Sequence, residues 1–251
     1  MEVLKKSLSS CVVIAGLVAL SACGISDTVT EVVSVPINSD TYIVEGSDKT
    51  HGGEEVIEVS TSASEQFYGL IPLPSSDGSK TAESFTSSIV ESIFEGIFGD
   101  GCDRSKVLKP EYLTSVKLVL TPIDDTASAQ AAQISIRPLD RDWWQGATWT
   151  RAHPFTSAGR WDTPGGDVMD SVSAVAGVQD LTQVTFDVKD LVAESTSLFE
   201  WGNITALNGF RVEAASGVSM TFHSSQSSWS GSERPHLDFV YTGPCVPKTQ
   251  E

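Results

Sequence analysis

Three of the chain's six tryptophans lie in one short stretch, DRDWWQGATWTRAHP, which runs from Asp140 to Pro154. A tryptophan ring is costly to leave in water, so each one either fills a core or offers an exposed flat surface. Aromatic rings stack on the C–H faces of sugars, and arginine and histidine donate hydrogen bonds to hydroxyl groups. The stretch therefore has the residue types of a sugar-binding surface as well as those of a plain β-sandwich.

Trp143 and Trp144 are neighbours, and neighbours in an extended segment point to opposite faces. If Trp143 points into the core, we expect Trp144 to point outward, beside further side chains that suit a sugar. The alternative, in which Trp144 folds back under the next loop, stays open, and Trp229 has the same two interpretations. The candidate ligand-binding residues are Trp144, Arg151, His153, Arg160, Trp161 and Trp229.

Catalytic motifs are missing from the sequence, which contains neither GxSxG nor HExxH and only four scattered histidines. Carboxylates are numerous, so a glycosidase-type pair stays open, but we expect a non-catalytic protein. Calcium takes oxygen ligands and is the one cofactor that these carboxylates suggest. Asp40 and Asp238 are the candidate ligands, because they flank what we expect to be neighbouring first and last strands. The alternative is a turn-capping aspartate and a solvated strand residue.

The first residues predict export. Lys5 and Lys6 precede the apolar run CVVIAGLVAL, which is too short to span a bilayer and is typical of a signal peptide. The LSAC that follows resembles the bacterial lipobox, whose cysteine carries the lipid. Because Gly24 rather than an aspartate comes next, the resemblance implies the outer membrane, on either face. We expect a signal peptide over 1–22, lipidation of Cys23 and a tether over 23–38.

The number of cysteines predicts one disulfide, and the net charge restricts the kinds of partner that the protein can bind. Once Cys11 leaves with the signal and Cys23 carries lipid, Cys102 and Cys245 remain, and in an oxidising compartment we expect them to form a disulfide. The formal net charge of −17 repels nucleic acid and anionic lipid headgroups. We therefore expect a neutral glycan or an envelope protein as the partner, with the membrane reached through the lipid anchor.

Most of the chain has the pattern of β-strands. Short runs rich in β-branched and aromatic residues are separated by Gly, Ser, Asp and Pro, and two of them, SVKLVLTPI and LDFVYTG, alternate with period 2. The other predicted strands are TYIVE, EVIEVS, FYGLIPL, AQISIRPL, TQVTFDV, GFRVEA and VSMTFHS. The fold class that this predicts is all-β, a jelly-roll-like antiparallel sandwich of two sheets.

One segment breaks the β pattern. Phe85, Ile89, Ile93 and Ile97 recur every four residues, which predicts an amphipathic helix within an insertion at about 75–109. We expect this helix to pack on the sandwich as a lid; the alternative is a helix that docks on a partner or a membrane. A disulfide from Cys102 to Cys245 would tie it to the end of the last strand.

Several blocks, in this order, resemble the DNRLRE family of carbohydrate-binding-like β-sandwich modules. The blocks are DTYI, FYGLIPLP, LTSVKLVL, WWQGATWTRAHP, RWDTPGGDV, VTFDVKDLV, NGFRVEA and RPHLDFVY. The resemblance covers 39–243, leaving 244–251 as a C-terminal tail, and it implies that Trp143 and Trp149 are core plugs. Gln145 stands where the family pattern has glutamate, and Gln66 and Tyr68 replace family arginines.

The resemblance implies glycan recognition more strongly than the residues alone do. We expect a cell-envelope lipoprotein whose single sandwich binds glycan at or near the outer membrane surface. The alternative is a structural or adhesive accessory subunit of an envelope complex, with the same fold and no sugar ligand. A polysaccharide lyase or hydrolase is a more distant third interpretation.

Overall fold

The computed structural model describes residues 28–73, 113–123, 131–156, 159–169, 174–175, 177–180, 182–191, 208–228 and 233–244. In chain order the strands are β1 (Thr28–Pro36), β2 (Thr41–Val44), β3 (Val56–Thr61), β4 (Gln66–Ile71), β5 (Leu113–Leu120), β6 (Ile134–Pro138), β7 (Ala174–Val175), β8 (Gly177–Asp180), β9 (Gln183–Asp187), β10 (Phe210–Ala214), β11 (Val218–His223) and β12 (His236–Pro244). A short 3-10 helix, Ala131–Gln133, precedes β6.

The strands form two antiparallel sheets. The first has the order β1-β12-β5-β9-β8, and the second has the order β11-β3-β4-β10-β6-β7, with β2 paired to β4. All nine predicted strands are present, and the predicted all-β sandwich of two antiparallel sheets is confirmed. The predicted insertion at about 75–109, with its amphipathic helix, lies outside the described residues. Within the described parts of the chain, no helix is long and apolar enough to cross a membrane.

The main core lies between the two sheets. On β5, Val116, Leu118 and Leu120 are fully buried, and on β12 Leu237 and Phe239 join them, which confirms the predicted period-2 alternation. The second sheet contributes its own alternate residues, among them Phe210 and Val212. Val119 departs from the pattern, since it is 2% exposed although its neighbours on β5 face the main core. Burial of this continuous apolar set is the main source of the fold's stability.

The prediction of a tether over 23–38 is wrong for most of that range. Residues Thr28–Pro36 form β1, the edge strand of the first sheet, which pairs with β12 from Thr28 opposite Pro244 to Pro36 opposite His236. Val35 and Ile37 are buried in the main core. The sandwich therefore begins at Thr28 rather than at residue 39, because this segment pairs with β12 along its whole length and places Val35 and Ile37 in the core.

Candidate functional site

The tryptophan-rich segment forms one loop, residues 139–169, which we call the tryptophan loop. It leaves the end of β6 and returns to it, with Leu139 bridged to Val168 and the Met169 amide donating to the Pro138 carbonyl at 3.0 Å. The loop covers the face of the second sheet that points away from the main core. It is therefore anchored at its base to a rigid strand.

A second apolar cluster fills the space between the loop and the sheet. Ile43 of β2 and Leu70 of β4 supply its floor, since their neighbours on each strand point into the main core. The buried members are Ile43, Leu70, Leu139, Trp143, Ala147, Ala152 and Trp161, and Tyr68, Trp149 and Val168 pack against them partly buried. This cluster gives the loop a core of its own, so its shape is determined by packing.

Two tryptophans of this cluster also satisfy their indole N–H groups. Trp143, 3% exposed, donates from Nε1 to the Asn208 carbonyl at 2.8 Å, and Trp161 donates to the Thr148 carbonyl at 2.9 Å. Trp143 is thus the expected core plug, and Trp149 packs partly buried against the same cluster. The expectation that Trp161 belongs to an exposed ligand surface is wrong, because only 5% of it is accessible.

A buried cation holds the loop to the sheet. Arg211 of β10 pairs with Glu213, with Nη2 2.7 Å from Oε1, and donates from Nη1 to the Gly165 and Gly166 carbonyls at 2.8 and 2.9 Å. Its guanidinium also lies 4.4 Å from the centre of the Tyr68 ring. This network was not predicted, although an arginine and a glutamate two residues apart in an otherwise apolar strand were a usable signal.

Trp144 faces the opposite way from Trp143, as the alternation predicted. It is 43% exposed and packs edge-on against Phe155, which is 80% exposed, with ring centres 5.0 Å apart. The Trp144 amide donates to the Ala152 carbonyl at 3.0 Å, and its carbonyl accepts from the Ala147 amide at 2.7 Å. We call Trp144 and Phe155 the aromatic pair. Phe155 was not among the candidates, because a phenylalanine after proline gives no signal of exposure.

Polar donors lie close to the aromatic pair along the backbone. Arg151 and Arg160 are directly opposite each other in an antiparallel bridge, and among the residues that the structure describes neither has a carboxylate partner. His153 follows Ala152, and its Nε2 lies 3.3 Å from an Asp142 carboxylate oxygen and 3.1 Å from the Asp142 carbonyl oxygen. Arg160 is exposed and the other two are partly so. Apart from the buried Trp161, the described candidates are therefore partly or fully exposed in the tryptophan loop.

The structure does not bring the two candidate calcium ligands together. The strands beside β12 are β1 and β5, and β2 belongs to the other sheet, so the premise that placed Asp40 next to Asp238 is wrong. Asp40 is buried and accepts the Ser225 amide at 2.6 Å, whereas Asp238 accepts the Ser34 hydroxyl at 2.5 Å on the other sheet. Across the described residues, no group of three or more His, Cys, Asp and Glu side chains could hold a metal ion.

Burial of Asp40 has an electrostatic consequence. Desolvation raises the pKa of this carboxyl to about 6, against the lowering effect of its hydrogen bonds with Ser225. No basic side chain contributes to that shift. Asp40 therefore accepts a hydrogen bond from the turn after β11, and ionisation of its carboxyl lowers the stability of the folded state.

A second carboxylate, that of Glu54, has three hydrogen-bond donors around it and lies at the same end of the second sheet as Asp40. It accepts from the Tyr42 hydroxyl at 2.7 Å, and it lies 2.9 Å from His51 Nδ1 and 3.2 Å from Lys49 Nζ. Desolvation alone would raise the pKa of Glu54, but these hydrogen bonds outweigh it and lower the pKa to about 2. The ring of Tyr42 stacks on that of His51, with centres 4.1 Å apart. A carboxylate held ionised by three donors stabilises the loop between β2 and β3 and does not resemble a poised general acid.

The remaining candidate residues, Cys23, Cys102, Cys245 and Trp229, lie outside the described residues, so lipidation, the disulfide and the second tryptophan platform stay predictions. Comparison with known proteins adds no assignment: no protein-family model matches the chain, and no curated protein does. The resemblance to the DNRLRE family likewise stays a prediction.

Proposed function

We propose that this chain is a cell-envelope lipoprotein whose DNRLRE-like sandwich is a non-catalytic module that binds glycan through the aromatic pair. The observation that carries the proposal is the exposure of Trp144 and Phe155 in a loop whose other tryptophans are buried or partly buried. Exposed large aromatic side chains are costly in water and mark binding surfaces when they cluster. Their ring faces suit the apolar C–H faces of a sugar.

The surroundings of the pair support a sugar ligand. Arg151 and Arg160 are hydrogen-bond donors in the same loop and suit the hydroxyl groups of a sugar, whereas His153 Nε2 already contacts Asp142. The excess of carboxylates over basic residues disfavours nucleic acid as the partner. The second apolar cluster and Arg211 fix the tryptophan loop to the sheet. The aromatic pair is therefore carried by a well-packed loop and not by a flexible one.

A glycan array probed with the unlipidated chain from Gly24 onward tests this proposal. We expect binding to at least one glycan, weakened by about 1–3 kcal/mol in Trp144→Ala, by analogy with aromatic stacking on nucleic-acid bases. Phe155→Ala should weaken the same complexes. Ile123→Ala, which removes another exposed apolar side chain at 41% exposure, is the matched control and should bind normally.

The alternative function is an accessory subunit of an envelope complex with no sugar ligand. The observation that favours it is β1, a long edge strand rich in valine whose Val32 is 58% exposed. The unpaired backbone groups of an exposed edge strand are a template on which a strand of another chain can pair. Absence of binding to any glycan on the array, or full binding by both aromatic variants, would contradict the glycan proposal and favour this alternative.

A further inference from the structure

The position of β1 brings the sandwich close to the predicted lipid anchor. β1 starts at Thr28, so only residues 24–27 separate it from Cys23. Five Cα–Cα steps span at most about 18 Å even when fully extended. The end of the first sheet that carries Thr28, together with Pro244 opposite it, must therefore lie near the bilayer if Cys23 carries the lipid.

The opposite end of β1 leads to the tryptophan loop. β1 ends at Pro36, and residues 37–40 connect it to Thr41 of β2, which pairs with Leu70 of β4. The next residue of β4, Ile71, pairs with Phe210 at the start of β10. The first link is the short chain segment that crosses from one sheet to the other, and the later links pass between hydrogen-bonded strand neighbours. The start of β10 therefore lies at the Pro36 end of the sandwich.

Trp143 and Trp144 lie at that same end. Trp143 donates to the carbonyl of Asn208, two residues before β10 begins, and Gln145 donates to the carbonyl of Gly52 in the loop between β2 and β3. β1 has nine residues and spans about 27 Å. The aromatic pair is therefore separated from the anchored end by about the length of that strand.

The residues at the anchored end suit proximity to lipid headgroups. Exposed Thr30 shares a hydrogen bond with Thr242 at 3.0 Å, and exposed Thr114 donates to the Val240 carbonyl at the same distance. These hydroxyls are uncharged and compatible with an interfacial environment. The net charge of −17 also opposes a flat arrangement in which the whole body lies on anionic lipid.

We propose that the sandwich stands on the bilayer by the Thr28 end of β1, held there by the short 24–27 link, and presents the aromatic pair on its membrane-distal end. This inference rests on the proposed lipidation of Cys23 and the proposed role of the pair. It specifies that the ligand is a glycan approaching from the aqueous side rather than a headgroup of the anchoring membrane.

Energy transfer from the lipidated protein to a lipid-borne acceptor tests the orientation. The full lipidated chain is reconstituted into phosphatidylcholine vesicles, with a fluorophore on an encoded non-natural side chain at position 30 or at position 155. We expect clearly stronger transfer from position 30, since position 155 should lie about 25 Å further from the bilayer. A matched variant with twenty Gly/Ser residues inserted after Asp27 should reduce transfer at position 30 and narrow the difference.

Equal transfer at the two positions, or stronger transfer at position 155, would overturn the orientation. So would a difference that the inserted linker leaves unchanged. Flotation of the vesicles separates this result from the anchoring itself: protein that does not float contradicts lipidation and removes the orientation with it. Glycan binding by the unlipidated chain is measured separately and is unaffected by either outcome.

Discussion

Trp143 and Trp144 are adjacent residues of one type in opposite environments. Trp143 is 3% exposed in the second cluster, and Trp144 is 43% exposed beside Phe155. Trp143→Ala should lower the free energy of unfolding by about 3–5 kcal/mol, whereas Trp144→Ala should change it by less than about 1 kcal/mol. Urea unfolding of the two variants measures the difference. Similar losses in both would show that Trp144 belongs to the core and would deprive the glycan proposal of its main residue.

Asp40 gives a pH dependence whose sign follows from its raised pKa. Its carboxyl has a pKa of about 6 in the folded chain and an ordinary value of 3.8. The Asp40 carboxyl is therefore harder to ionise in the folded state than in the unfolded state. Below pH 3.8 it is protonated in both states and does not change the free energy of unfolding. Once the pH has risen through 6, its ionisation lowers the free energy of unfolding by about 3 kcal/mol. Asp40→Asn keeps an oxygen acceptor for the Ser225 amide and removes the titration.

We expect Asp40→Asn to match the parent chain at pH 4 and to be more stable at pH 8, as measured by urea unfolding across that range. Glu54 acts in the opposite direction, since its lowered pKa adds stability above about pH 4.5 that is lost as the pH falls toward 2. Because Glu54 is present in both proteins, its effect cancels in the difference. A stability difference that does not vary with pH would contradict a raised pKa at Asp40.

At the scale of elements, the tryptophan loop depends on two consecutive glycines. Gly165 has a φ of +96°, and a Cβ there would lie 2.9 Å from Cη2 of Trp149. Gly165→Ala should therefore combine backbone strain of about 1–2 kcal/mol with about 1–3 kcal/mol of overpacking. Gly217→Ala is the matched control, because its φ is +82° but nothing lies within 4 Å of the added carbon. Thermal unfolding should rank Gly165→Ala below Gly217→Ala, and equal values would mean that Trp149 does not pack as described.

Removal of β1 tests whether this strand is an integral part of the sandwich. A chain that begins at residue 39 lacks β1 and loses Val35 and Ile37 from the main core, each contributing about 1.5–3 kcal/mol. It also exposes the edge of β12. Compared with a chain that begins at Thr28, the shorter chain should unfold at much lower urea concentration or aggregate. Equal midpoints would show that residues 28–38 are a tether after all.

The strands and the site were predictable from sequence to different degrees. Local alternation was sufficient for β5 and β12, because burial on one face requires period 2. β1 was missed because its position directly after a lipobox suggested a linker, and its partner β12 is some two hundred residues away in the chain. The exposure of Trp144 followed from its neighbour, but the burial of Trp161 depends on how the loop folds over the sheet, which residue spacing does not encode.

At the scale of the whole molecule, charge and lipid act in opposite directions at the membrane. The net charge of −17 repels anionic headgroups, so we expect no membrane affinity from the polypeptide itself. An acyl chain contributes about 0.8 kcal/mol for each buried CH₂, and stable anchoring requires more than one chain, as a lipobox cysteine would supply. Attachment should therefore depend on the thiol of Cys23 alone.

Cys23→Ala should move the protein from the membrane fraction to the soluble fraction and abolish labelling by a fatty-acid probe. Cys11→Ala is the matched control, because it changes a cysteine of the apolar run and leaves the lipobox intact. That variant should fractionate and label like the parent chain. If Cys23→Ala stays in the membrane fraction without label, intact mass distinguishes an uncleaved signal peptide from attachment through a surface of the sandwich, and only the second result favours the accessory-subunit alternative. Label retained in Cys23→Ala would instead place the lipid on another residue and remove the short link on which the upright orientation depends.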